Sequence, residues 1–236
     1  MKLFNKFRFK MIEGKRLKNY LIYGLGEIVL VVIGIMLALA MNNWKEEQSD
    51  QKELDRIITV IAKDLEGDLS ETKEVISGSK LDQELTVKML YNPKFKDSIR
   101  GCEDCRYILA RVAIPNYNSN GYNLLSNFNK DVKTNSKKVD SIVKFYSAYK
   151  REAFEVRHNI ILEEIVDNMK YLRDNFDWFS EWFISGKCND GCLDYFTGQD
   201  YMNRLTYYEA IYFDDYLYGV EQYQKDLKAM LRYLKS

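Results

Sequence analysis

Four cysteines fall into two close pairs, Cys102 and Cys105 in CEDC and Cys188 and Cys192 in CNDGC. An even count with short spacings supports three kinds of chemistry. In an oxidising compartment the sulfurs form disulfides. As four thiolates they could hold zinc, because C-x2-C and C-x3-C are close to ligand spacing. As a thiol pair, CEDC could exchange disulfides, but Glu103 and Asp104 would hold thiol pKa values up, against what a reactive cysteine needs. The acidic residues inside both pairs also work against collecting thiolates around a metal. Structural disulfides are therefore expected at Cys102, Cys105, Cys188 and Cys192. Cross-pairing of the two loops is the expected connectivity. A bridge closing roughly 80–90 residues could stabilise by about 4–5 kcal/mol in the chain-entropy model, whereas local pairs would constrain little.

Other reactive side chains give less. His158 is the only histidine, so a multi-histidine metal site is impossible. It shares a helical face with Phe154, Ile161 and Ile165 and reads as a core or boundary residue. No nucleophile-elbow motif supplies a serine for a triad, and no glycine-rich phosphate loop occurs. The pairs Asp64/Asp68 and Asp214/Asp215 read as solvated helix faces. No catalytic residue, metal site or cofactor is assigned.

The elements that carry these residues follow from composition and pattern. The chain has 236 residues, two prolines and many Lys, Glu, Leu and Tyr, which favours helices. Its net charge of zero hides an asymmetry. Residues 1–19 hold seven basic residues against one acidic, while residues 45–236 hold 28 basic against 33 acidic. An acidic main domain argues against nucleic acid as a partner.

Residues 20–41 contain a single charged side chain, Glu27. A helix of that length spans roughly 33 Å, enough to cross a bilayer core. The basic tail 1–19 would stay in the cytoplasm by the positive-inside rule, sending residues 42–236 across. Tyr20 and Tyr23 would lie near one interface and Trp44 near the other. The strongly apolar part, 28–41, is also short enough for a signal peptide, and Ala38-Leu39-Ala40 is a possible cleavage site. Both readings export the C-terminal domain. Within the tail, Phe4, Phe7 and Met11 share a helical face that could lie along the inner leaflet; alternatively the tail is only a topology signal. On a helix, Gly34 and Ala38 each fall within ~20° of Glu27. Gly34-x-x-x-Ala38 is a small-xxx-small pattern, so this stripe could meet another membrane helix. The alternative is that Glu27 sits at the cytoplasmic interface.

The stretch YLIYGLGEIVLVVIGIMLALAMNNWKEE resembles the hallmark of a family of bacterial single-span envelope proteins of unknown function. Its members open with a basic tail and a GEIVLVVIGI-type span ending in Asn-Asn-Trp. NSNGYNLLSN (118–127) and IVKFYSAY (142–149) are further points of similarity. The resemblance implies an inner-membrane anchor and a helical exported domain, and it supplies no activity. The chain departs from the pattern at Ala40, where the family often has glutamine, and that departure creates the A-x-A site.

Beyond the span, Leu54, Ile58, Ile61, Leu65 and Leu69 predict a helix continuing from it, with a break near Ser77–Lys80 and a further piece over 81–91. Residues 92–120 read as a loop around a short helix, NSNGYNLLSN as a turn and a short helix, 136–179 as one long helix, and SGKCNDGC as a glycine-rich loop. A tyrosine-rich helix over 201–234 carries Tyr208, Tyr212, Tyr216 and Tyr223 on its apolar side. The expected fold is mainly α: one N-terminal transmembrane helix continuing into an antiparallel bundle of three or four long helices. The functional expectation is a membrane-anchored interaction, scaffold or sensor protein of the cell envelope. Its partners would be the lipid bilayer and either a second copy or other envelope proteins. The alternative is an envelope enzyme, a carboxylate- or metal-dependent hydrolase.

Overall fold

The computed structural model describes residues 17–128, 136–149 and 151–235. The reading of the tail's Phe4, Phe7 and Met11 face lies outside them. Every regular element among the described residues is helical, with no strand. The chain divides into two units, α1 as far as Asp55 and the domain from Arg56 onward.

The helix α1 runs from Leu17 to Tyr91. It passes through Ser77–Lys80 without the expected break. A glycine there costs a helix about 1 kcal/mol relative to alanine, which packing can offset. Gly78 faces open space, while the next residue, Ser79, is buried and bonded to Tyr212. Within the domain, α1 buries Ile58, Ile61, Leu65, Asp68, Thr72, Val75, Ser79, Thr86 and Met89. These positions follow a heptad-like spacing, so one seam faces inward along this part of the helix. Four of its members are polar. The helix ends at Tyr91, where Pro93 removes a backbone donor and Asn92 caps the next turn by accepting from Lys94 N at 3.1 Å.

Residues 92–119 are held by short 3-10 turns, Pro93–Gly101, Asp104–Arg106 and Ile108–Ala110. Ile99, Cys105 and Ile108 anchor them in the core. Helix α2, Asn120–Ser126, follows. The single long helix expected over 136–179 is instead α3 (Ser136–Ala148), α4 (Arg151–Asn175) and α5 (Phe179–Ser185). The physical reason is that the pieces face different neighbours. At the end of α3, Phe145 and Tyr149 pack on Tyr223 near the C-terminus, whereas α4 lies against residues 108–110 and 209–217.

Gly186, at φ +72°, closes α5 by donating to Trp182 O at 2.8 Å, a left-handed position that suits glycine. Asn189 then caps α6 (Asp190–Thr197) by accepting from Cys192 N at 3.0 Å. The tyrosine-rich C-terminal stretch is helical as expected, from Gln199 to Lys235, but not uniformly α. Between α7 (Gln199–Tyr208) and α8 (Tyr218–Lys235) lies a π-helical segment, Glu209–Leu217. Its wider turn brings Glu209, Tyr212, Phe213, Tyr216 and Leu217 all to the inside.

Candidate functional site

The domain's polar chemistry is concentrated on the α1 seam. Asp68 is fully buried. Its Oδ1 accepts from Asn118 N at 2.8 Å and from Asn118 Nδ2 at 3.2 Å, and its Oδ2 accepts from the Tyr223 hydroxyl at 2.8 Å. One turn earlier, Asp64 Oδ2 accepts from Gly121 N at 2.7 Å, and one turn later Glu71 Oε2 accepts from Asn116 N at 3.3 Å. Three carboxylates on one helix therefore hold the backbone N–H groups of Asn116, Asn118 and Gly121. This corrects the reading of Asp64/Asp68 as a solvated face. The sequence signal that could have found it is the asparagine–glycine run of NSNG, whose backbone N–H groups need acceptors.

Gly121 makes the docking close. A Cβ there would sit 2.6 Å from Ile61 N and 2.7 Å from Ile61 Cα, so α2 rests directly on the backbone of α1. Tyr117, Tyr122, Tyr146, Tyr149 and Tyr223 surround the junction. Tyr122 stacks on Tyr146 at 4.3 Å, and Tyr223 meets Tyr117 and Tyr149 edge-on, both at 4.9 Å. Burial pushes the Asp68 carboxyl up from its ordinary range, opposed by its hydrogen bonds to Asn118 and Tyr223. Burial also holds the Tyr223 phenol far up, reinforced by the Asp68 charge beside it.

Farther along the seam, the Tyr212 hydroxyl donates to Ala113 O at 2.7 Å, so its 2.7 Å contact with Ser79 is accepted from the serine hydroxyl. Gln224 Nε2 reaches Thr72 Oγ1 at 3.4 Å. The Tyr91 hydroxyl donates to Glu209 Oε2 at 2.5 Å. Each of these polar groups is engaged with another part of the fold, which makes the seam a recognition surface between the chain's own elements. Tyr201, Tyr208, Tyr212, Tyr216 and Tyr223 are core residues, while Tyr207 and Tyr218 are exposed. His158 is half-buried.

The cysteines correct a second expectation. Cys102 pairs with Cys105 and Cys188 with Cys192, so both disulfides are local and neither cross-links the loops. Such short bridges stabilise by about 2 kcal/mol each in the chain-entropy model, less than half of what cross-pairing would supply. Non-covalent contacts do the joining instead. Arg100 pairs with Asp194 at 2.7 Å and with Asp190 at 3.4 Å, and Tyr107 stacks on Trp182 at 5.2 Å. With the loops bound to each other by these side chains, each cysteine finds its nearest partner within its own turn. All four sulfurs are used, so the arrangement contains no thiolate set for zinc. Among the described residues no cluster of three or more His, Cys, Asp or Glu is placed to hold a metal.

In the N-terminal unit, the large apolar residues from Leu21 to Trp44 are between 47% and 71% exposed, so none of the described residues covers a side of this stretch. Glu27, Gly34 and Ala38 are exposed as well, and a Cβ at Gly34 would meet nothing within 4 Å.

A long, apolar, uncovered helix near the N-terminus fits a single-pass membrane protein. Residues 27–143 match the model of a family of unknown function, DUF6090. The matched region runs from Glu27 into α3 and so includes the α1 seam, the CEDC pair and the docked NSNG segment. No curated protein and no solved structure matches the chain.

Proposed function

We propose that the protein is an inner-membrane anchor with an exported helical domain that meets a partner in the cell envelope. Residues 1–19 stay in the cytoplasm, 20–41 span the bilayer, and 42–236 form the exported domain, an antiparallel bundle built around α1 and the C-terminal helix. The observation that carries this reading is the uncovered apolar length of α1, which needs lipid or another helix around it. The engagement of Asp64, Asp68 and Glu71 with the chain's own N–H groups favours an interaction protein over a carboxylate hydrolase. Within the membrane, Glu27, Gly34 and Ala38 form the contact stripe for a second helix, from another copy or from a different envelope protein. The small residues permit close approach, and a carboxyl group facing a neighbour avoids the cost of facing hydrocarbon.

Proximity labelling from the C-terminal domain in native cells tests the partner. A reproducible envelope protein, or the chain itself, is expected among the labelled species; recovery from detergent only as a lone monomer opposes the reading. Reporter fusions at the C-terminus test orientation and should be active only outside the cytoplasm. Sequencing the mature N-terminus tests the anchor: a start at Met41 would mean cleavage after Ala40. Glu27→Gln should weaken the intramembrane contact, and unchanged assembly would remove Glu27 from it.

A further inference from the structure

The CEDC disulfide differs from its neighbour in one respect that bears on reactivity. Each pair buries one cysteine fully, Cys105 or Cys192, and leaves the other, Cys102 or Cys188, partly exposed, so in CEDC an incoming thiolate meets the Cys102 sulfur. That sulfur accepts a hydrogen bond from Cys105 N at 3.3 Å. In the CNDGC pair the corresponding N–H, that of Cys192, is taken by the Asn189 side chain at 3.0 Å. A backbone N–H aimed at sulfur stabilises a thiolate there and makes it a better leaving group. The acidic neighbour that opposes thiolate chemistry is partly matched, because Asp104 pairs with Arg111 at 3.3 Å. The short loop adds little conformational constraint, so opening it leaves the surrounding packing of Ile99, Ile108 and Trp182 to hold the fold.

We propose that Cys102–Cys105 is a thiol–disulfide exchange site for protein dithiols, with Cys102 as the attacked sulfur and Cys105 as the resolving one. A thiolate of the partner attacks Cys102 Sγ. The Cys102–Cys105 bond breaks and its electron pair leaves on Cys105 Sγ, which takes up a proton because burial disfavours the ion. The partner's second thiol, as thiolate, attacks its own sulfur in the mixed disulfide and releases the Cys102 thiolate, stabilised by Cys105 N–H. The partner is oxidised by two electrons to a disulfide and the protein is reduced to a dithiol. The reverse exchange with a disulfide-bearing protein restores it. A monothiol gives a mixed disulfide that Cys105 attacks and reverses, so the site favours dithiols.

The test equilibrates the full chain in detergent with graded ratios of reduced to oxidised dithiothreitol. Free thiols are then trapped by alkylation and each cysteine peptide is read by mass spectrometry. Cys102–Cys105 should open at a dithiothreitol ratio at least about tenfold lower than Cys188–Cys192, the weight of one hydrogen bond to a charged sulfur. Near-UV circular dichroism should stay native as it opens. In Cys105→Ser the Cys102 thiolate should displace the small thiol from a peptide whose single cysteine is held as a mixed disulfide, leaving the peptide stably joined at Cys102, and Cys102→Ser should capture none. Opening of both pairs in parallel, or opening only together with loss of the native dichroism, overturns the proposal. The wild-type comparison decides the matter even if a variant fails to fold.

Discussion

Gly121→Ala offers a sharp test of how the NSNG segment docks. The added methyl would lie 2.6 Å from Ile61 N and Cγ1 and 2.7 Å from Ile61 Cα. The Ile61 side chain could turn aside, but the helix backbone of α1 cannot, so α2 must lift. Overpacking of this kind costs about 1–3 kcal/mol. Lifting also stretches the 2.7 Å bond from Gly121 N to the Asp64 carboxylate, and a hydrogen bond to a charged group is worth about 1.5–3 kcal/mol. The two losses overlap because one displacement causes both, so the expected destabilisation is about 2–4 kcal/mol. For a chain of this size each kcal/mol lowers the melting temperature by roughly 2–4 °C. Thermal unfolding of the full chain in detergent, followed by circular dichroism, should show a drop of roughly 4–16 °C. Gly78→Ala is the matched control. It lies on the same helix α1 with nothing within 4 Å of its Cβ position, and should stabilise by up to about 1 kcal/mol through helix propensity. If the two variants melt alike, the close approach of α2 to α1 is wrong.

Three further outcomes follow from the seam and the bridges. The folded Asp68 carboxyl is held above its ordinary range by burial, so above the ordinary carboxylate pKa the native state binds more proton than the unfolded one, and this group's contribution to stability falls as pH rises. Asp68→Asn should flatten that part of the pH profile in urea unfolding, with a gain over wild type growing toward neutral pH; an unchanged slope would refute the assignment. Tyr212→Phe strands Ala113 O and removes the acceptor of Ser79, so it should cost about 1–3 kcal/mol in the same assay, whereas Tyr218→Phe on the exposed side should be near neutral. Replacing Cys188 and Cys192 together by alanine should lower stability by about 2 kcal/mol; a loss of twice that would mean the bridge does more than close its own short loop.

The helical character of the chain, the uncovered apolar stretch and the inward tyrosines were legible because each is a local property. Periodicity places Ile58, Ile61 and Leu65 inside regardless of their partners. The sequence was misleading where a residue's environment depends on a segment far along the chain. Asp64 and Asp68 look like solvent-facing acids until Gly121 and Asn118 arrive with N–H groups that need acceptors. The continuity of α1 through Gly78 depends on Ser79 meeting Tyr212, 133 residues away. The division of the 136–179 stretch depends on α3 and α4 having different neighbours. Disulfide connectivity went the other way: the loops do meet, but through Arg100, Asp194, Tyr107 and Trp182, and the sulfurs paired within their own turns.

Those local pairings govern how the molecule responds to force. A bridge across the two loops would have kept about 90 residues from extending under tension, roughly 300 Å of contour length, until it was reduced. With partners three and four positions apart, the two bridges withhold only a few residues each. A machine gripping either end of this chain could draw out nearly its whole length in single file with both disulfides intact, meeting only the resistance of the helices' packing.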